Sequence, residues 1–125
     1  MNNLETILKN VRQADGGATI DKNGNFAQGK YYASIYPQYS LIVDNANDVT
    51  AKTIQNYVKQ VNKLSGGILN KPNHYLGLWN NPDNNKVYFD ISQAFSNRKA
   101  VKNACLEHAQ LAYYDAKSGK SVKVA

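Results

Sequence analysis

The side chains able to do acid–base or nucleophilic chemistry are few. Cys105 and His108 stand three residues apart in a stretch of helical spacing, so one helix face would carry both, with His108 turned inward. A nucleophilic thiolate needs a base and an electropositive, partly open pocket. Ala104, Leu106 and Ala109 surround this cysteine instead, and in such company it serves as a small buried hydrophobe. Asp90 and Asp115 each follow an aromatic residue in a stretch that alternates like a strand. On neighbouring strands the two would share a site, raise one pKa and form an acid–base pair; apart, each caps a turn or a helix. His74 opens another strand-like stretch and faces Asp90 in one register of a hairpin. Two His, one Cys and no His-x-x-x-His spacing make no metal set. Gly16-Gly17, Gly66-Gly67 and Lys117-Ser-Gly-Lys120 lack the spacing of a phosphate loop. We therefore assign no catalytic residue, no metal and no cofactor from the sequence.

Aromatic side chains carry more information. Of nine tyrosines, Tyr31, Tyr32, Tyr36, Tyr75, Tyr88, Tyr113 and Tyr114 fall in strand-like stretches, where adjacent residues point to opposite faces. Tyr75, Trp79, Tyr88 and Tyr114 are expected on the outer face of a sheet, with Lys86 at their rim. Such a surface suits a protein partner, because Tyr and Trp are enriched at interfaces. It also suits stacked bases, with Lys117, Lys120 and Lys123 supplying phosphate contacts. No RNA-recognition signature accompanies them.

The elements that must position these residues follow from periodicity. Leu4, Ile7, Leu8 and Val11 make one stripe of a short helix over 3–14, ended by Gly16-Gly17. Asp21-Lys-Asn-Gly24 predicts a tight turn, Lys30–Tyr36 a two-sided strand, and Tyr39–Val43 a short extended segment. Ile54, Tyr57, Val58, Val61 and Leu64 set a helix over 50–64, capped by Asp48 or Thr50 and stopped by Ser65-Gly66-Gly67. Then come a strand from His74 to Trp79, a polar turn Asn80–Asn85 and a strand from Lys86 to Ile91. A helix capped by Ser96 or Asn97 follows, then a strand from Gln110 to Asp115 and a terminal Val122–Val124. The expected core is Leu76, Leu78, Val87, Phe89, Ile91, Val101, Cys105 and Leu111. Helices interspersed with hairpins predict an α+β fold, a mainly antiparallel sheet covered by two or three helices. Residues 1–125 form a single domain, with 1–15 as a peripheral N-terminal helix.

Composition narrows the setting. The chain has 125 residues and a formal net charge of +6. Thirteen of its fifteen basic residues are Lys, less suited than Arg to bidentate phosphate recognition. Residues 98–125 carry six basic and two acidic residues. This favours an acidic partner or nucleic acid but also fits solvated lysines. No apolar run reaches the roughly 18 residues of a membrane span. Met-Asn-Asn-Leu-Glu-Thr lacks the basic and apolar regions of a secretion signal. A single Cys suits a reducing compartment, so a cytoplasmic setting without membrane contact is expected. An edge strand at Val122–Val124 leaves a homodimer open.

The combination Gly16-Gly-Ala-Thr-Ile20, Gly29-Lys-Tyr-Tyr-Ala-Ser-Ile35, Tyr75-Leu-Gly-Leu-Trp79, Lys86-Val-Tyr-Phe-Asp-Ile-Ser92 and Gln110-Leu-Ala-Tyr-Tyr-Asp115 resembles short accessory proteins of bacteriophages and mobile elements. In those a Gly-x-Trp … Lys-Val-Tyr-Asp hairpin precedes a helix and an Ala-Tyr/Phe-Asp strand; here Phe89 stands before Asp90. The resemblance spans most of residues 16–124 and transfers no catalytic residue. It implies a non-enzymatic protein in the host cytoplasm that binds a host protein or protein–nucleic-acid complex, inhibiting a defence system in the manner of an anti-CRISPR protein. Inhibitors that mimic DNA are acidic and this chain is basic, so a protein surface is the expected target. A small hydrolase built on Asp90, Asp115 or His108 would instead require those side chains to converge.

Overall fold

The structure is a computed structural model that describes residues 1–124, the side chains of Lys120 and Ser121 excepted. The chain runs through α1 (Leu4–Val11), β1 (Gly17–Ile20), β2 (Tyr31–Ala33), a 3₁₀ turn (Pro37–Tyr39), β3 (Leu41–Val43) and a second 3₁₀ turn (Ala46–Asp48). It continues with α2 (Ala51–Ser65), a third 3₁₀ turn (Ile68–Asn70), β4 (His74–Asn81), β5 (Lys86–Phe95), α3 (Arg98–Glu107), β6 (Ala112–Asp115) and β7 (Lys120–Lys123). The fold is α+β, as the spacing predicts.

All strand pairs are antiparallel, in the order β1-β4-β5-β2-β6-β7, and β3 lies against β5 outside that path. β5 is long enough to hold two partners along one edge: β3 takes Val87–Phe89 and β2 takes Gln93–Phe95. Asp90, Ile91 and Ser92 fall between them. The β4–β5 hairpin is in register from His74↔Gln93 to Asn81↔Lys86. Because side chains alternate along a strand, Leu76, Leu78, Val87, Phe89 and Ile91 point to one face while Tyr75, Gly77, Trp79, Tyr88, Asp90 and Ser92 point to the other.

All three helices cover the first face. α1 and α2 bring Ile7, Val11, Ile54, Tyr57 and Val61 onto the Leu76–Ile91 side chains, where the Tyr57 ring meets Phe89 edge-on at 5.2 Å between centroids. α3 brings Val101 and Cys105 onto Ala33 and Tyr113, making a second cluster farther along the same face. Fully buried Asn80 ties α1 to the hairpin. Its Nδ2 donates to the Val11 carbonyl at 2.9 Å and its backbone N–H to the Gly16 carbonyl at 2.8 Å, while its Oδ1 has no partner among the described residues.

Local chemistry explains the helix ends. Thr50 caps α2 in a reciprocal box with Thr53, and Gly66 closes it at φ 72°. Asn97 caps α3 by accepting from the Ala100 N–H at 2.8 Å. α1 stops at Val11, before Gly16-Gly17, and the left-handed residue after it is Asp15 at φ 63°. The two glycines serve close approach instead. A Cβ at Gly17 would stand 2.2 Å from the Leu78 carbonyl oxygen, and one at Gly16 1.9 Å from that of Asn10.

Several expectations need correction. The Lys30–Tyr36 strand pairs only over Tyr31–Ala33, and beyond the Asp21–Gly24 turn a single Ile20↔Phe26 bridge stands in for a hairpin. Leu64, the last position of the α2 stripe, is exposed, while Ile54, Tyr57 and Val61 are buried. Leu111 is 72% exposed and not in the core. Ala109 at φ 56° and the bond from Gln110 N–H to the Cys105 carbonyl reverse the chain there, so β6 begins at Ala112, two residues after the expected start at Gln110.

Removing the Phe89 ring leaves a cavity beneath Tyr57. Phe89→Ala is expected to lower unfolding free energy by about 3–5 kcal/mol, and Leu111→Ala to change it by no more than about 0.5 kcal/mol, both read from urea unfolding midpoints.

Candidate functional site

The second face of the sheet carries no helix. Across its middle runs a row of small side chains, with Thr19 of β1 opposite Gly77 of β4 and Gly77 opposite Asp90 of β5. Ser92, Ser34 and Ala112 continue the floor toward β6. Two aromatic banks stand on either side. Trp79 and Tyr88, cross-strand partners, lie with ring centroids 5.8 Å apart. Tyr32 lies 6.1 Å from Tyr75 and 6.4 Å from Tyr114. Small residues between large ones make a trough of about 600 Å³, lined from Asp15 and Gly17 at one edge to Tyr114 and Gly119 at the other.

Hydrogen bonds hold the banks in place. Trp79 Nε1 donates to Asp15 Oδ1 at 2.8 Å, and Asn84 Nδ2 donates to the Tyr88 hydroxyl at 3.0 Å. The Tyr32 hydroxyl accepts from the Gly29 N–H, and burial pushes its pKa up. Trp79 and Tyr114 remain about two-fifths exposed, at 42% and 43%.

Asp90 is the chemically unusual group on the floor. Ser92 Oγ donates to its Oδ1 at 3.1 Å, and Oδ2 has no hydrogen-bond partner among the described residues. Burial pushes the carboxyl up to about 6, against which the Ser92 bond acts weakly. Gly77 makes room for it, since a Cβ there would come 2.7 Å from Asp90 Oδ1. Among the described residues lining the trough, only Asp15 and Asp90 are charged, and both are acidic, although the chain carries +6.

The sequence-derived binding residues Tyr75, Trp79, Tyr88 and Tyr114 all lie on this face. Lys86 lies there too, with Nζ 3.7 Å from Asp44 Oδ1. Lys123 pairs with Ala112 and shares the face, Lys117 is exposed in the β6–β7 turn, and the Lys120 side chain lies outside the described residues. The candidate catalytic groups do not converge. Asp115 sits on the helix-covered face and caps its own turn, accepting from the N–H groups of Lys117 and Ser118. His74 is opposite Gln93, not Asp90; its Nδ1 donates to the Pro72 carbonyl and its Nε2 accepts from the Tyr36 hydroxyl. Cys105 is buried with its thiol on the Ala112 carbonyl, and burial pushes its pKa up. His108 is exposed and not inward-facing, because α3 ends at Glu107. Asp15, Thr19, Tyr32, Ser34 and Ser92 were not singled out by spacing; alternation gives their partners' faces only once the register is known.

No family model, curated protein or solved structure matches the chain. Among the described residues no group of three or more His, Cys, Asp or Glu could hold a metal ion, and no helix is long and apolar enough to cross a membrane.

Because the Asp90 pKa in the folded protein lies above the ordinary carboxylate value of 3.8, the folded state holds more protons than the unfolded one between about pH 4 and 6. Its ionisation therefore takes stability away as pH rises through that window. Asp90→Asn is expected to raise unfolding free energy at pH 7.5 by about 1–3 kcal/mol and to leave it nearly unchanged at pH 4, as measured by denaturant unfolding at both pH values.

Proposed function

We propose that this chain is a non-enzymatic accessory protein that acts by binding another protein through the uncovered sheet face. The observation that supports this most is the placement of all three helices on one face, which leaves Trp79, Tyr88, Tyr75, Tyr32 and Tyr114 together on the other. Rigid aromatic rings on a strand framework lose little conformational freedom on binding and give large contact area. The resemblance to phage and mobile-element proteins supplies the setting: a host protein or protein–nucleic-acid complex in the host cytoplasm, with inhibition of a defence complex as the outcome. The chain's basic charge argues against DNA mimicry, so it would occupy a surface of the partner protein or compete beside nucleic acid bound there.

Affinity capture from a bacterial lysate tests this. The wild-type chain should retain a protein that Trp79→Ala/Tyr88→Ala loses by at least ~10-fold and that Lys117→Ala/Lys123→Ala keeps. No retained protein, or equal retention by the aromatic double variant, overturns the reading.

A second reading, single-stranded nucleic-acid binding, is favoured by Lys123 lying on the same face as Tyr114. It runs against the acidic floor. If it holds, affinity for an oligonucleotide falls steeply with salt, and Lys117→Ala/Lys123→Ala makes that dependence shallower by about two phosphate contacts. A flat salt response removes it.

A further inference from the structure

The trough presents an imbalance that the fold does not resolve. Asp90 is an acceptor set among Gly77, Thr19, Ser34 and Ser92, and only one hydroxyl answers it. A carboxylate removed from water is costly unless matched by hydrogen bonds or an opposite charge. Every basic side chain that could answer it from within lies elsewhere, since no Lys or Arg is among the described lining residues. On both sides stand aromatic faces, Trp79 on one and Tyr32 with Tyr114 on the other, and ring faces attract cations. The volume, about 600 Å³, lies within the ordinary range of sites for small organic groups.

We infer that the trough is a receptor site for the guanidinium of an arginine side chain on the partner, seated on the Asp90 carboxylate between the two aromatic banks. This rests on the reading of the open face as a protein-binding surface. Guanidinium fits better than ammonium for two reasons. It is planar, so it stacks on Trp79, two residues from Asp90's cross-strand partner Gly77, while donating edge-on, and it is less strongly hydrated, so it enters a half-buried site at lower cost. Its donors answer Asp90 Oδ2 first. Thr19 and Ser34 hydroxyls and the exposed edge of Asp15 are further acceptors within the same lining.

Asp90 also explains the expected pH response. The other titratable groups facing it are Asp15, Tyr32 and Tyr114 in the trough and Tyr57 of α2 from beneath the sheet. Burial keeps Tyr32 and Tyr57 neutral well above pH 8. Binding that depends on the Asp90 charge is therefore full above pH 7 and is lost as pH falls through about 6.

Trp79 is the only tryptophan and lies on the trough, so its fluorescence reports occupancy. The full chain is titrated with a blocked tripeptide having a central arginine, with its lysine and neutral citrulline counterparts, and with free agmatine. The arginine tripeptide should saturate the Trp79 signal in the millimolar range. The citrulline peptide should bind at least ~10-fold more weakly, and a similar loss should accompany a shift from about pH 7.5 to 5. Asp90→Asn should abolish the difference between arginine and citrulline. Thr19→Lys, which supplies a cation from the neighbouring strand, should block the arginine peptide even if Asp90→Asn does not fold. Agmatine, which has no peptide backbone but carries an ammonium besides its guanidinium, matching the tripeptide while the lysine peptide binds more weakly places the recognition in the guanidinium and not the backbone, as inferred. Equal binding of arginine and citrulline, tighter binding of lysine, an unaltered response in both variants, or no saturable signal overturns the inference. The tripeptide result is independent of any captured protein. A captured partner lost with Trp79→Ala/Tyr88→Ala but no arginine preference would leave the binding reading standing and remove this one.

Discussion

Everything in this molecule hangs on the eight-residue register between β4 and β5. Once Leu78 sits opposite Phe89 and Gly77 opposite Asp90, alternation decides the rest. A slip of one residue would send Leu76, Leu78, Val87, Phe89 and Ile91 into water and bring Asp90, Ser92 and Trp79 under the helices. The buried faces of α1 and α2 fit only the first arrangement. The turn over residues 82–85 enforces it locally, with Asn81 Oδ1 accepting from Asp83 N–H, Asn84 Oδ1 from Lys86 N–H, and Asn85 taking φ 57°.

That register also explains why the second face is a trough and not a flat sheet. The rows that cross at Gly77 carry small residues, and the rows at Trp79 and Tyr32 carry large ones. Gly17 and Gly77 are both required by close approach, the first to the Leu78 backbone and the second to the Asp90 carboxylate. A sheet covered on one side and lined with rings on the other has buried what its core needs. The remaining rings are grouped and not scattered singly, Trp79 with Tyr88 on one side of the floor and Tyr75 and Tyr114 about the buried Tyr32 on the other.

The division into faces was legible in the sequence over His74–Trp79 and Lys86–Ile91, which alternate; Asn80 and Asn81 read as turn residues by composition, yet β4 runs through both and buries Asn80, and β5 runs on to Phe95. The α2 and α3 caps were legible only as pairs, Asp48 or Thr50 and Ser96 or Asn97, because neighbouring side-chain oxygens before a helical stripe can serve equally; the fold uses Thr50 and Asn97. Three features were not legible. Asp90 and Asp115 look alike as aromatic-Asp dipeptides, yet their faces differ because β2 lies between their strands and its register on each is set by tertiary contacts. Cys105 and His108 share helical spacing, but α3 ends before His108 and the cap leaves it in water. Leu111 fits strand alternation, but the reversal at Ala109 delays the strand. In each case non-local packing or a turn overrides a pattern that is sound over a few residues.

Asp90 is the place where local and global preferences part. A threonine or serine at that position would suit a half-buried strand, accept and donate hydrogen bonds, and carry no ionisation cost. The carboxylate instead lowers the stability of the folded state above pH 6, and the sheet holds it with one Ser92 hydroxyl and the space vacated at Gly77. Departures from local consistency of this kind concentrate where a protein meets something else. The basic chain keeps an acidic floor between aromatic walls, and among the described residues no lysine lines it. What completes that site electrically has to arrive from another molecule.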